Sequence, residues 1–163
     1  MKLNATKTSA LKHRIASQKK QTLDLNKWIF EQIQINPTEN VLELCCGTGA
    51  QTKYFSRIIK EGKLQCIELN SDTIDDNKKN IQDSRIEYCV SDIDEVSLYV
   101  NKFYDLIFTS YGFYYSQGPK ALHQKLKDSL NKNGRFILVG PVLGNNKELY
   151  EILQNWLIWR VYI

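Results

Sequence analysis

Residues 41–52 read Val-Leu-Glu-Leu-Cys-Cys-Gly-Thr-Gly-Ala-Gln-Thr. An apolar run of strand length, Val41–Leu44, leads into two glycines separated by one residue, Gly47 and Gly49, and a helix-like pattern follows directly. Glycine lets the backbone turn sharply and lets a ligand approach closely, because it carries no Cβ. The stretch therefore predicts a buried strand, a glycine turn and a helix. The turn alone does not distinguish a ligand site from a ligand-free connection.

Short apolar runs alternate with helical patterns from about Glu39 onward. The runs are rich in Val, Ile, Leu, Tyr and Phe and are nearly continuous in apolarity, which is typical of strands buried on both faces. Strands and helices in alternation predict a parallel sheet wrapped by helices. The strand candidates are Val41–Leu44, Lys63–Leu69, Ile86–Val90, Tyr104–Thr109 and Arg135–Val139.

Helix candidates lie before and between these strands, at residues 18–35, 49–61, 71–82 and 119–131. Their apolar residues recur at helical spacing, which predicts one buried face on each helix. Ser71 and Asp72 are candidate N-caps for the third helix, and Asn133-Gly134 turns the chain into the last strand. The faces predicted to be buried include Leu25, Trp28, Ile29 and Ile33 in the first helix and Leu122, Leu126 and Leu130 in the last.

Three carboxylates accompany the first three strands. Glu43 stands inside an apolar strand, where a carboxylate is unfavourable unless something such as a bound cationic group pairs with it. Glu68 ends the second strand about 20 residues past Gly49, where doubly wound folds place an acid that accepts ribose hydroxyls. Asp92 follows the third strand, where it can accept a hydrogen bond from an adenine amino group. Acids at successive strand ends predict a nucleoside site, because ligands of open α/β sheets bind at that edge.

These residues resemble the motifs of class I S-adenosylmethionine (SAM)-dependent methyltransferases. Residues 43–50, E-L-C-C-G-T-G-A, are similar to motif I, and Cys45 stands where Gly is commonest, as in methyltransferases of ubiquinone and menaquinone biosynthesis. The resemblance covers roughly residues 39–141. It implies an α/β fold, a doubly wound parallel sheet of strand order 3-2-1-4-5 with helices on both faces. The implied domains are an N-terminal helical extension, 1–38, and a SAM-binding Rossmann-like domain, 39–163.

The resemblance also implies roles for individual residues. The glycines admit the cofactor, Glu43 lies near its methionine end, Glu68 accepts the ribose hydroxyls, and Asp92 holds the adenine edge. No catalytic residue is identified, and Ser110 and Tyr111 are the candidates. The implied cofactor-binding residues are Glu43, Cys45, Gly47, Thr48, Gly49, Glu68, Leu69, Asp92, Ile93, Thr109 and Ser110, and the implied acceptor pocket is lined by Tyr111, Phe113, Tyr114 and Tyr115, of which one or two serve packing instead.

The function expected from this resemblance is transfer of a methyl group from SAM to a small-molecule acceptor by direct in-line displacement, leaving S-adenosylhomocysteine. A nicotinamide-dependent oxidoreductase is a weaker alternative, because the third glycine of its fingerprint would fall on Thr52. Ser110-Tyr111-Gly112-Phe113 excludes the motif of DNA adenine methyltransferases. An RNA methyltransferase stays open because the net charge of +4 is concentrated in residues 1–40, although we do not expect a nucleic-acid partner.

The remaining features of the sequence concern its cysteines, the location of the protein and its C-terminal residues. The four cysteines form no C-x-x-C pair, so we expect buried reduced thiols and no metal site. No apolar run suits a membrane span or a secretory signal, so we expect a cytoplasmic protein. Residues 141–163 leave the family's C-terminal β-hairpin missing or incomplete. The open sheet edge would then favour a homo-oligomer or a partner chain, and a non-catalytic SAM-binding domain that needs a partner is the second alternative.

Overall fold

The computed structural model describes residues 23–95 and 103–140, together with Ser9, His13 and Ala16. The expectations for the basic segment that precedes residue 23 and for a C-terminal hairpin within 141–163 lie outside the described residues. In the described part of the chain, no helix is long and apolar enough to cross a membrane.

The core of the fold is one five-stranded sheet in which every described pairing is parallel. The strand order is β3-β2-β1-β4-β5, which confirms the order and the fold class expected from the sequence. The strands are β1 (Val41–Leu44), β2 (Leu64–Glu68), β3 (Ile86–Val90), β4 (Tyr104–Ser110) and β5 (Leu130–Val139).

Strand β1 lies at the centre of the sheet and is buried along its whole length. It pairs with β2 on one side, where Glu43 lies opposite Cys66, and with β4 on the other, where Leu44 lies opposite Thr109. Because parallel strands share one direction, the ends of all three strands lie at the same edge of the sheet. The glycine turn that follows β1 therefore stands at the middle of that edge.

Helices cover both faces of the sheet, as the sequence predicts. On one face, Ile29 of α1 (Leu25–Gln32) and Phe55 of α2 (Thr52–Ile58) are buried in a cluster with Phe108 of β4. On the other face, Leu122 and Leu126 of α4 (Pro119–Asp128) pack against apolar residues of the strands. The remaining helix, α3 (Ser71–Asn80), contacts β2 and β3.

The outer strands are less buried than their apolarity suggests. Val90, which ends β3, is 53% exposed, and Leu138 of β5 is 51% exposed. The prediction that all strands are buried on both faces is therefore wrong for β3 and β5, the two outermost strands of the described sheet.

Three local predictions are also corrected. Trp28 does not share the buried face of α1, since it is 48% exposed whereas Ile29 is buried. The cap of α3 is Asn70, whose side chain accepts hydrogen bonds from the backbone N–H groups of the first turn. Helix α4 ends at Asp128, and Leu130 already belongs to β5, where it pairs with Tyr104.

Candidate functional site

The glycine turn bends through an uncommon backbone region. Cys45, Gly47 and Gly49 all have positive φ, of 55°, 55° and 83°. L-residues other than glycine rarely adopt this region, so the geometry explains why a glycine is favoured at positions 45, 47 and 49. Cys45 adopts the same positive φ although it carries a side chain, so its backbone is strained. Positive φ at non-glycine residues is concentrated at functional sites.

The two glycines of the turn differ in what surrounds them. A Cβ built on Gly49 would lie 2.4 Å from the Asn77 side chain, so packing inside the protein requires glycine there. A Cβ built on Gly47 would meet nothing closer than the Cys45 carbonyl oxygen, at 3.9 Å. Among the described residues beyond its two chain neighbours, no other heavy atom lies within 4 Å of that Cβ position, so the backbone at Gly47 is less crowded than the backbone at Gly49.

The carboxylate of Glu68 lies against this turn. Its Oε2 accepts a hydrogen bond from the Gly47 backbone N–H at 3.0 Å, and its Oε1 accepts one from the Asn70 N–H at 3.1 Å. Burial raises the pKa of Glu68 above its usual range, while these two backbone donors oppose that effect. The Glu68 side chain at the end of β2 thus holds the turn after β1 in place.

Glu43 lies deeper, within β1 and behind the turn. It is only 2% exposed, and its Oε2 accepts hydrogen bonds from the Thr52 hydroxyl at 2.7 Å and from the Cys66 thiol at 3.6 Å. Burial raises the pKa of Glu43 to about 8, so the side chain is largely protonated at neutral pH. The structure therefore satisfies the buried carboxyl group with neutral partners, where the sequence suggested a bound cation.

A buried side chain of α3 supports the turn from behind. The Asn77 amide donates to the Gly47 carbonyl oxygen and to the Thr52 hydroxyl, each at 3.5 Å, and accepts from the Tyr88 hydroxyl at 2.9 Å. Sequence reasoning missed both Asn77 and Thr52. The available signal was the spacing of Thr73, Ile74 and Asn77 in an otherwise charged helix, because this spacing places all three on the buried face.

The end of β4 meets the turn from its other side. Tyr111 follows the strand with a φ of 55°, and its backbone N–H continues the ladder by donating to the Val139 carbonyl oxygen at 2.8 Å. A Cβ on Gly112 would lie 2.4 Å from the Cys45 Cβ, so the two strand ends are in direct contact. Within the described part of the chain, the buried hydroxyl of Thr109 has no hydrogen-bond partner. Ser110 is half-buried beside it.

The aromatic residues of the following loop divide into two groups. Phe113 packs inward against Phe136, with ring centroids 5.7 Å apart. Tyr114 is 53% exposed and lies with its ring centroid 4.7 Å from that of Tyr115. Phe113 therefore serves packing, as expected for one or two of the aromatic residues, and Tyr111, Tyr114 and Tyr115 remain candidates for an acceptor pocket.

The remaining candidates lie at the ends of β2 and β3. Asp92 is half-buried in the turn after β3, Ile93 beside it is buried, and Leu69 after β2 is 37% exposed. The Ser91 N–H donates to the Glu68 carbonyl oxygen at 2.9 Å, which holds the two loops side by side. Thr48 is half-buried within the glycine turn. The candidate cofactor-binding residues thus lie at the carboxyl edge of the sheet, except Glu43, which lies behind the glycine turn.

The strand order, the glycine turn and the acid at the end of β2 define an α/β domain of the Rossmann-like, cofactor-binding class. A family model described as the methyltransferase domain matches residues 41–134. The chain therefore belongs to the methyltransferase domain family, which confirms the resemblance read from the sequence. In the described part of the chain, no group of three or more His, Cys, Asp or Glu side chains is placed to hold a metal ion.

Three proteins to which the chain is similar are named as methyltransferases. The chain is 30% identical over 103 residues to a malonyl-[acyl-carrier protein] O-methyltransferase from Anoxybacillus flavithermus, covering 63% of this chain and 39% of that relative. In fold it is similar to coclaurine N-methyltransferase bound to N-methylheliamine and S-adenosylhomocysteine, with a TM-score of 0.62, 20% identity, and coverage of 70% of this chain and 34% of that one. A TehB-like SAM-dependent methyltransferase from Corynebacterium glutamicum gives a TM-score of 0.61 at 17% identity, over 88% of this chain and 80% of that one.

The chain spans less than half of the length of the curated relatives it matches, between 38% and 47% of each. The family model matches residues 41–134, which carry the glycine turn and the strand-end acids.

Proposed function

We propose that this chain binds SAM and transfers its methyl group to a small-molecule acceptor. The observation that carries the proposal is the uncrowded backbone at Gly47, beside the Glu68 carboxylate at the carboxyl edge of the sheet. A ligand can approach the backbone there without meeting a side chain. The buried Thr109 hydroxyl, which lacks a partner among the described residues, leaves one further polar atom at this edge.

The residues present fit a nucleoside with an amino acid tail. Glu68 would accept the ribose hydroxyls beside its backbone donors, since an ionised carboxylate can accept about four hydrogen bonds, and Asp92 would accept from the adenine amino group. The side chains of Leu69 and Ile93 would flank the adenine. The remaining contacts proposed for SAM come from Glu43, Cys45, Gly47, Thr48, Gly49, Thr109 and Ser110, with Glu43 acting through Thr52 and the turn.

SAM, when bound, supplies a methyl group already activated by its positively charged sulfur, so the protein's part is orientation and exclusion of water. The end of β4 would place the acceptor, with Ser110 and Tyr111 next to the reacting groups. The protein would hold the acceptor's attacking atom in line with the departing sulfur. The rings of Tyr111, Tyr114 and Tyr115 would wall the pocket and keep water out.

The names of several relatives suggest a class of acceptor to test first. Four of the five curated relatives are malonyl-[acyl-carrier protein] O-methyltransferases, for which the acceptor atom is an oxygen. A carboxylate needs no general base, which agrees with the absence of an evident base among the candidate residues of the described chain. We therefore propose that the acceptor atom is a carboxylate oxygen, as in these malonyl acceptors.

The binding proposal is tested by titrating the protein with S-adenosylhomocysteine in a calorimeter. We expect measurable binding by the wild type and at least tenfold weaker binding by Glu68→Gln, which keeps the size of the side chain but loses an acceptor. Glu61→Gln, an exposed carboxylate elsewhere, is the matched control and should bind as the wild type does. Binding of NADH in place of S-adenosylhomocysteine would overturn the proposal in favour of an oxidoreductase.

Turnover is tested separately with SAM labelled in its methyl group. We expect label to appear in malonyl-acyl-carrier protein or in a small malonyl thioester when the wild-type chain is present. Binding of S-adenosylhomocysteine without transfer to any oxygen acceptor offered would contradict the acceptor proposal and leave the cofactor proposal standing.

A further inference from the structure

One carboxylate joins the turn after β3 to the loop after β4. Asp94 accepts a hydrogen bond from the Ser116 hydroxyl at 2.5 Å through one oxygen and from the Gln117 backbone N–H at 2.7 Å through the other. The two segments are more than 20 residues apart in sequence. A charged acceptor with two short donors makes stronger bonds than a neutral pair would.

The hydrogen bonds continue on both sides of Asp94. On the β3 side, Asp92 Oδ1 accepts from the Asp94 backbone N–H at 3.1 Å. On the β4 side, the Ser116 hydroxyl accepts from the Gly118 N–H at 3.1 Å, at the residue that caps α4. A continuous chain of bonds therefore runs from the carboxylate of Asp92 to the start of α4.

Two residues of these bonded segments are buried, Ile93 in the turn after β3 and Ser116 in the loop after β4. Ile93, between the two aspartates, is 4% exposed and belongs to the core cluster that contains Leu122 of α4. Ser116 is 9% exposed and directly follows the aromatic loop, Tyr111–Tyr115. A displacement of the turn after β3 would therefore act on the end of that loop, because Ile93 and Ser116 both lie in the interior.

We propose that Asp94 is a positioning residue that couples cofactor binding at Asp92 and Ile93 to the placement of the aromatic loop, Tyr111–Tyr115. The inference rests on the proposed function, since it takes the turn after β3 as the adenine side of the site. It deepens that function by linking two binding events: the cofactor, bound at the turn after β3, would favour the arrangement of the loop that receives the acceptor. Asp94 itself contacts neither reactant.

The experiment measures amide hydrogen exchange of the full chain with and without S-adenosylhomocysteine. In the wild type, we expect the ligand to slow exchange of the amides of residues 111–118 at least fivefold, together with those near Asp92. In Asp94→Ala, we expect the ligand to bind within threefold of the wild-type affinity but to slow exchange near Asp92 only. The protection of residues 111–118 should be lost.

Conservative and distant variants separate coupling from a general loss of stability. Asp94→Asn should restore the protection, because its amide can still accept from the Gln117 N–H and donate to the Ser116 hydroxyl. Ser116→Ala should lose most of the protection, as Asp94→Ala does. Asp128→Ala, which removes an exposed carboxylate on α4, should behave as the wild type.

The outcomes distinguish the two proposals. Binding of S-adenosylhomocysteine with unchanged protection of residues 111–118 in Asp94→Ala overturns the coupling and leaves the proposed function intact. Failure of the wild type to bind the ligand overturns both.

Discussion

At the scale of single residues, Glu43 shows how the fold tolerates an acid in its central strand. The carboxyl group lies at the middle of β1 with a hydroxyl and a thiol as partners, and burial raises its pKa to about 8. Glu68 nearby adds negative charge that works in the same direction. Protonation removes the need for a buried cation, which would be hard to place beneath the glycine turn.

Glu43 should therefore make the protein less stable as the pH rises. The folded protein keeps this proton up to about pH 8, whereas the unfolded chain releases it near 4.5. Between those values folding binds a proton, so the free energy of unfolding should fall by roughly 1 kcal/mol per pH unit. Urea unfolding from pH 5 to pH 8 measures this slope.

The matched variant is Glu43→Gln, which should make the free energy of unfolding depend less on pH. A smaller decrease with rising pH should remain, because the pKa of Glu68 is also raised. Glu61→Gln is the control and should keep the full slope. A slope of the wild-type size in Glu43→Gln would mean that another group carries the proton.

The contact between Cys45 and Gly112 gives a second prediction at this scale. Alanine at position 112 would place its Cβ 2.4 Å from the Cys45 Cβ, so Gly112→Ala should lower the free energy of unfolding by about 1–3 kcal/mol. Cys45→Gly removes the obstructing atom and also suits a φ of 55°. The double variant should recover most of the loss in chemical denaturation.

Gly118→Ala is the control for this pair, because among the described residues its Cβ would meet only the Ala121 Cβ, at an ordinary 3.8 Å. Its effect should be smaller than that of Gly112→Ala. Equal losses in Gly112→Ala and in the double variant would show that Cys45 is not the source of the clash.

At the scale of elements, α3 acts as a brace for the glycine turn. Asn77→Ala removes the bonds to Gly47, Thr52 and Tyr88 and leaves buried polar groups unpaired, so we expect a loss of about 1–3 kcal/mol of stability. S-adenosylhomocysteine should also bind more weakly, since the turn loses its support. Thermal unfolding and calorimetric titration measure the two effects.

Asn80→Ala on the same helix is the comparison, because that side chain is exposed and alanine favours helix. It should leave both stability and binding unchanged within error. A loss in Asn80→Ala as large as in Asn77→Ala would place the effect in helix formation rather than in the brace.

The elements whose bounds the sequence predicts well are those whose apolar runs end sharply. Strand β1 and strand β3 have the predicted bounds, since their apolar runs are short and sharply ended. The boundary between α4 and β5 is different: Leu130 continues the helical spacing, yet its pairing with Tyr104 draws it into the sheet. The residues after it bulge out at Asn133, where φ is 72°, before pairing resumes at Arg135. Such tertiary competition cannot be read from spacing alone.

The candidate site divides in the same way. The strand-end acids and the glycines follow from local sequence, because parallel strands bring their ends to one edge. The contacts of Asn77 and Asp94 do not, because each side chain bonds to a segment distant in sequence, and helical spacing marks Asn77 only as a buried position. The exposure of Trp28 is likewise not predicted by helical spacing. The spacing shows which residues share one side of a helix, but it does not show which of them another element covers.

At the scale of the whole molecule, one ion pair fastens the beginning of the sheet to its last strand. The Arg135 guanidinium donates to both carboxylate oxygens of Glu39, at 2.8 and 3.1 Å, across 96 positions of sequence, and also to the Gln34 carbonyl oxygen. Glu39 is 8% exposed, so little water reaches its carboxylate to replace this partner. The forked geometry suits arginine in a way that lysine cannot reproduce.

Arg135→Lys should therefore lower the free energy of unfolding by about 1 kcal/mol, and Arg135→Met by about 3 kcal/mol, because methionine leaves a buried carboxylate without its cation. Adding Glu39→Gln to Arg135→Met should restore part of the loss. Lys132→Met, at an exposed position of the same strand, is the control. Additive effects of Glu39→Gln and Arg135→Met in a double-mutant cycle would contradict a direct pairing.

The strand order has a consequence for the chain as it leaves the ribosome. Translation completes β1, β2 and β3 as one contiguous unit, but the other side of β1 stays unpaired until β4 has been made, beginning at Tyr104. During that interval β1, which the folded protein buries along its whole length, presents free backbone groups to its surroundings, and its aggregation hazard is highest. The nascent chain is most in need of chaperone protection between the emergence of Leu44 and that of Ser110.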